Sequence, residues 1–215
     1  MNGPVKSLNW LILTALAMEK RAIAAELDGY IPSAGLSLQT IGIKAGRLNA
    51  ELFGKFNGIV LAGLAGGLNP RLSVGDVIVE TSANSPWNDL PFHAGKIHTS
   101  DHLIASIAEK ERLFRDTGCD AVDMEGSLVR KLAESAGIPM LHIRAISDSA
   151  DEAVPPDMIN WINETGRPRP ARIAANLALH PSQIPAMIRL GKNSHLALRN
   201  LTQALRRIVQ SRIDS

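Results

Sequence analysis

A single cysteine, Cys119, stands in a chain of 215 residues. That scarcity excludes an internal disulfide and a cysteine-ligated zinc cluster. Cys119 lies just before the apolar pair Ala121-Val122, with nothing beside it that marks an activated nucleophile, so it reads as a small buried thiol. Charge of one sign is also lacking: 23 Lys and Arg face 21 Asp and Glu, a net of +2. This balance gives no general reason to expect a nucleic-acid partner. No apolar run is long enough to span a bilayer. The Gly-rich run Ala62-Gly63-Leu64-Ala65-Gly66-Gly67 lacks both the spacing of a dinucleotide fingerprint and the lysine of a phosphate-binding loop. No metal and no cofactor is therefore expected.

What remains is ordinary for a water-soluble fold: 45% apolar and 20% charged residues, in a length that suits one α/β domain over 1–215. Two readings compete at the start. Lys6 followed by Trp10–Ala17 imitates a signal peptide ending in an A-x-A site. The same residues also read as a buried first strand, Leu11–Leu16, running into a helix over Met18–Leu27. The strand reading agrees with the low cysteine count and with a cytoplasmic location.

Strand and helix then alternate. A strand is expected over Leu38–Lys44, a short helix over Leu48–Phe56, and apolar strands over Ile59–Ala62 and Val74–Val79. Ser100-Asp101 resembles a helix cap before His102–Ala105. A further helix is expected over Ala108–Arg115. Met124, Leu128, Leu132 and Ala136 recur every four residues, with Gly137 and Pro139 as stop signals, so 124–136 reads as a helix. Leu141–Ile146 reads as a core strand. Residues 149–170, rich in proline, read as a mobile loop with one helical turn at Met158–Ile162. From Ile184 to about 212 the chain reads as a helix, with Leu198, Leu201, Leu205 and Ile208 on one stripe. Arg199, Arg206, Arg207 and Arg212 give that helix a basic character, which suits a solvated face or a peripheral membrane contact. Alternation of this kind predicts a three-layer α/β/α fold around a central mixed, partly parallel sheet.

Three features carry chemistry. The Gly-rich run after a strand offers backbone N–H groups to a ligand, Ala65 and Gly66 among them, or is simply a tight turn. Glu125 at the start of the 124–136 helix either complements the helix dipole or accepts the vicinal hydroxyls of a ribose, with Met124 as an apolar wall. Asp148 ends a strand, where open α/β sheets place catalytic groups, or caps a turn.

Gly63–Leu68 with Leu72–Val77 resembles the GSAGG…L-x-VGDVV block of the methylthioadenosine/S-adenosylhomocysteine nucleosidases, in the purine nucleoside phosphorylase superfamily. Ala121-Val122-Asp123-Met124-Glu125-Gly126 is similar to their A-V-E-M-E-A, and Arg144–Asp148 to their RAISD. Ser100–Ile104 resembles the segment that walls the base. The resemblance spans roughly residues 8 to 152. It implies cleavage of the N-glycosidic bond of a purine nucleoside, with Asp148 as general acid at purine N7. Glu125 and its neighbour Asp123 would serve the ribose, Met124 the sugar face, and Leu103 and Ile104 the base. It also implies a homo-oligomer, at least a dimer.

The chain departs from that pattern. Nucleosidases carry M-E-E-E at the first helix, and the last Glu positions the attacking water. Here Met18-Glu19-Lys20-Arg21 puts Arg21 at that place, and a cation suits phosphate better than a water base. Glu19 is the substitute for orienting water. Leu64 replaces a serine, and the segment between Ala83-Asn84 and Ser100 is short, which opens the 5′ side. These departures look like the hopanoid-associated phosphorylases, implied to remove adenine from adenosylhopane. The competing function is a non-catalytic purine-nucleoside-binding protein that kept the fold.

Overall fold

The computed structural model describes residues 8–31, 33–81, 85–163 and 165–214. Lys6 and the pair Ala83-Asn84, which entered the sequence reading, lie outside the described residues. Strands β1 (Trp10–Thr14), β2 (Leu36–Thr40), β3 (Gly58–Gly67), β4 (Val77–Thr81), β5 (His93–Ala94), β6 (Ile97–Thr99), β7 (Ala121–Asp123) and β8 (Met140–Asp148) form one mixed sheet. Its main order is β2-β1-β3-β8-β4-β5. β1, β2, β3 and β8 run parallel, β4 is antiparallel to β8, and β7 joins β6 to the far end of β3.

The helices are α1 (Ala17–Glu26), α2 (Ile107–Thr117), α3 (Gly126–Ala136), α4 (Pro170–Leu179) and α5 (Ile184–Ile213). Strand alternation decides which helix each side chain meets. Trp10 and Ile12, with Val60, Leu141 and Ile143, pack against Ile23 of α1 and the Leu198, Leu201, Leu205 and Ile208 stripe of α5. Leu11 and Leu13, with Ile59 and Leu61, pack instead against Val129 and Ala133 of α3. Helices on both faces of a buried sheet make the expected three layers. β1 is buried along its whole length between β2 and β3, as the strand reading of the N-terminal segment requires.

Several elements differ from the sequence reading. The Gly-rich run is not a turn: it is the second half of β3, which continues to Gly67. Glycine is needed there for close approach rather than for bending. A Cβ on Gly63 would lie 2.2 Å from Arg144 Nη1 and 2.7 Å from Glu19 Oε1. β2 begins earlier than expected and yields to a 3-10 turn at Ile43–Ala45. The expected helix over Leu48–Phe56 is a 3-10 helix, Ala50–Lys55. Val74-Gly75 is a turn, with Gly75 at φ 92°, and β4 starts only at Val77.

Ser100-Asp101 caps no helix. Ser106 does, through a capping box in which its side chain accepts from Glu109 N. Within 149–170 a 3-10 helix covers Pro156–Trp161, and α4 begins at Pro170, which sits in its first turn. Cys119 is half-buried rather than buried. Among the described residues no helix is long and apolar enough to cross a membrane.

Candidate active site

The C-terminal ends of the parallel strands β1, β3 and β8 open into a cavity of about 360 Å³. Asp148 reaches it from the end of β8, where a register shift between Ala65 and Gly66 marks a bulge at Ser147. Glu125 and Met124 reach it from the link between β7 and α3, with Asp123 beside them. Ala65 and Gly66 line it from β3, Leu103 and Ile104 from the loop before α2, and Glu19 from the first turn of α1.

Arg21 is the exception among the expected site residues. It is exposed on α1 and does not line the cavity. Two residues along a helix turn about 200°, so if Glu19 faces inward Arg21 faces out. The position expected to hold phosphate therefore points to solvent, and the inward carboxylate is Glu19.

The acidic groups are tied together by one cation. Arg144, fully buried on β8, donates through Nη2 to Asp123 Oδ2 at 2.5 Å and to Glu125 Oε2 at 3.2 Å. His142 Nε2 lies 2.9 Å from Asp123 Oδ2, and its Nδ1 lies 3.5 Å from Glu80, its cross-strand partner on β4. Glu19 is held by backbone donors, with Leu64 N at 2.8 Å from Oε1 and Leu16 N at 2.8 Å from Oε2. Glu125 Oε1 accepts from Lys44 N at 3.0 Å, in the positive-φ turn that follows β2. Arg144 Nη1 is buried and has no partner among the described residues. It points towards Gly63 and Glu19.

Environment splits these carboxyls into different acids. Burial opposes ionisation of Asp123, but Arg144 and His142 outweigh it and hold that carboxyl well below the usual range. Burial pushes Glu125 up to about 7; Arg144 opposes the rise, while Asp123 and Glu19 add to it. Burial also raises Glu19, against the pull of Arg144 and its backbone donors. Asp148 is raised by burial in spite of Lys110, whose Nζ lies 2.5 Å from Oδ2; its Oδ1 accepts from Ser147 Oγ at 2.7 Å. Burial wins there because both partners sit away from water.

The opposite end of the cavity is apolar, formed by Met158, Ile159, Trp161, Ile162, Met187 and Leu190 from the 3-10 helix and α5. A second hollow of about 460 Å³ lies beside β4 and β5, lined by Glu80, Lys96 and Asp120 among others. Its Asp120 already accepts from Asn69 Nδ2 and Lys96 N. The sequence reading passed over Arg144, His142 and Lys110. Lys110 does carry a trace in sequence, since it shares a helix face with Leu113 and Phe114 at i+3 and i+4.

The phosphorylase superfamily model matches residues 80–178. An aminodeoxyfutalosine nucleosidase of Campylobacter jejuni is 25% identical over 179 residues, covering 63% of this chain and 76% of that protein. A 5′-methylthioadenosine/S-adenosylhomocysteine nucleosidase of Mycobacterium bovis is 24% identical over 202 residues, covering 66% of this chain and 78% of that protein. Among solved structures, the S. pneumoniae 5′-methylthioadenosine/S-adenosylhomocysteine nucleosidase with a transition-state inhibitor superposes with a TM-score of 0.65 at 19% identity, over 93% of this chain and 97% of that one. A Francisella philomiragia structure described as a nucleosidase of the same kind gives 0.63 at 19% identity, over 94% and 98%. These structural likenesses extend across the sheet and both helical layers.

Proposed function

Because the chain belongs to the phosphorylase superfamily, we propose that it cleaves the N-glycosidic bond of an adenine nucleoside, with water as the nucleophile. The observation that carries this reading is the placement of buried Glu19 and buried Asp148 on one cavity, with Glu125 beside them. Glycosidic cleavage builds positive charge on the sugar and negative charge on the base. A carboxylate that takes a proton from water and an acid that gives one to the base answer both needs.

Asp148 delivers the proton to N7 of the leaving purine. Glu19 receives the proton of the attacking water. Glu125 accepts from the ribose hydroxyls, and Met124 packs on the sugar. Phosphate is disfavoured as nucleophile by charge: Glu19, Asp123, Glu125 and Asp148 line the cavity, while the cations behind them, Arg144 and Lys110, are fully buried and already bonded to Asp123, Glu125 and Asp148.

We assign the 5′ substituent to the apolar side formed by Trp161, Ile162, Met187 and Leu190, which suits a large apolar group such as the hopane of adenosylhopane. A panel of adenosine, 5′-methylthioadenosine and a long 5′-alkyl adenosine tests both parts. Adenine release from all three, with kcat/KM rising as the apolar group grows, is expected. No release from any would defeat the enzymatic reading, and a preference for adenosine would defeat the apolar 5′ group.

A further inference from the structure

Lys110 is the one residue of α2 that is buried, and its side chain is completely so. A charge in that position must be paired. Its Nζ lies 2.5 Å from Asp148 Oδ2, 2.7 Å from Ser149 O and 2.8 Å from Glu152 O, which uses all the donors of an ammonium. The bonds to the two carbonyls fix where the amine stands, and the bond to Oδ2 gives it a direct line to Asp148. Asp148 as a carboxylate paired with an ammonium is not an acid. To protonate a leaving purine it must first be given a proton, and the nearest one sits on Nζ.

We propose that Lys110 and Asp148 act as one acid, with Lys110 the positioning residue that supplies, through Asp148 Oδ2, the proton delivered to the purine. The proposal rests on the hydrolase reading. As the bond from C1′ to N9 breaks, its electron pair goes to the purine. One proton passes from Nζ to Asp148 and one from Asp148 to N7, leaving a neutral amine and a carboxylate. The water oxygen bonds to C1′ and its proton goes to Glu19. Release of that proton to solvent, and uptake of one by the pair, restores the starting state.

The charged groups around the pair do not supply a rival proton. Glu152 accepts from Ser149 N at 3.2 Å, lies 3.2 Å from Arg189 of α5, and accepts from Asn193. Asp151 is exposed and bonded to Ser149. Glu109, the neighbour on α2, is used in the cap at Ser106.

Two variants separate a proton relay from a mere strap on the turn after β8. Lys110→Arg keeps the charge and donors but cannot release a proton. Lys110→Met keeps the stem without charge. Adenine release from 5′-methylthioadenosine is followed against pH, with thermal melts confirming that each variant folds. Both are expected to lose ~10²-fold or more in kcat with little change in KM. In Lys110→Met the alkaline limb should also move to lower pH, because a lone Asp148 then holds the last proton that the pair held before. A folded Lys110→Arg with kcat within a few-fold of wild type overturns the proposal. If only the Met variant folds, an unmoved alkaline limb overturns it equally. A wild-type protein that releases no adenine at any pH defeats the hydrolase reading, and this proposal with it.

Discussion

Two buried cations border the cavity, and they do opposite things with the carboxylates they meet. Arg144 binds Asp123 and Glu125 and is itself fully enclosed. Lys110 binds Asp148 and is just as enclosed. Guanidinium stays charged, so Arg144 can only hold: it keeps Asp123 ionised and ties Asp123 to Glu125. An ammonium can hand its proton on, so the Lys110 end can act as an acid. The comparison teaches that burial of a cation does not by itself say what its partner is for. The identity of the cation does.

The largest effect should come from breaking the Arg144 side. Arg144→Met leaves Asp123 buried beside His142 without its strongest partner, at a cost of about 3–5 kcal/mol. Urea titration checks it, and a loss under 1 kcal/mol would mean that Asp123 is not held by Arg144.

On the Lys110 side the expected loss is in rate. Asp148→Asn should slow adenine release by ~10²–10⁴-fold. The melting temperature should fall as well, since Lys110 is left buried without its counter-charge, so turnover is compared where the variant is still folded. Turnover within tenfold of wild type would remove Asp148 from the mechanism.

A smaller effect distinguishes the carboxylates that share Arg144. Glu125 is raised from 4.5 to about 7. The folded state therefore holds a proton that the unfolded state has lost over that window, and stability falls as pH rises from 4.5 to about 7. The contribution lost is about 3 kcal/mol. Melts of wild type and Glu125→Gln across this range should show the wild type losing that much relative to the variant. A constant difference would mean that Glu125 ionises normally.

The smallest effect sharpens the contrast from outside. Arg21 is a third cation near the site in sequence but exposed in space. Arg21→Ala should leave kcat/KM within twofold, with or without phosphate. A sharp rise in phosphate requirement would return it to the mechanism.

Sequence made much of this legible, and the misses share a cause. The i+4 recurrence of Met124, Leu128, Leu132 and Ala136 marked α3 to within a turn, because a helix face has a local period. The carboxylates Asp123, Glu125 and Asp148 sit in short motifs at strand ends, so their shared location could be expected before any coordinates. The glycines of β3 could not be read this way. Glycine usually signals a turn, and its reason here is the approach of Arg144 and Glu19 from other elements.

Of the pair Arg21 and Glu19, helix phase decides which one meets the cavity. The start of α1 at Ala17 sets that phase. Lys110 was hidden because a lysine amid Glu109, Glu111 and Arg112 resembles a solvated face. α4 was hidden by Pro168 and Pro170, which read as loop although proline is at home in a first helical turn.

The central claim is that water, activated by Glu19, attacks C1′ while Asp148 protonates the base. Incubation of the intact protein with 5′-methylthioadenosine in phosphate-free buffer made with ¹⁸O-labelled water tests it most directly. The account predicts free adenine and a reducing sugar carrying the label on its anomeric oxygen, at a rate unchanged by added phosphate. Release that requires phosphate and yields a sugar 1-phosphate without label would contradict it.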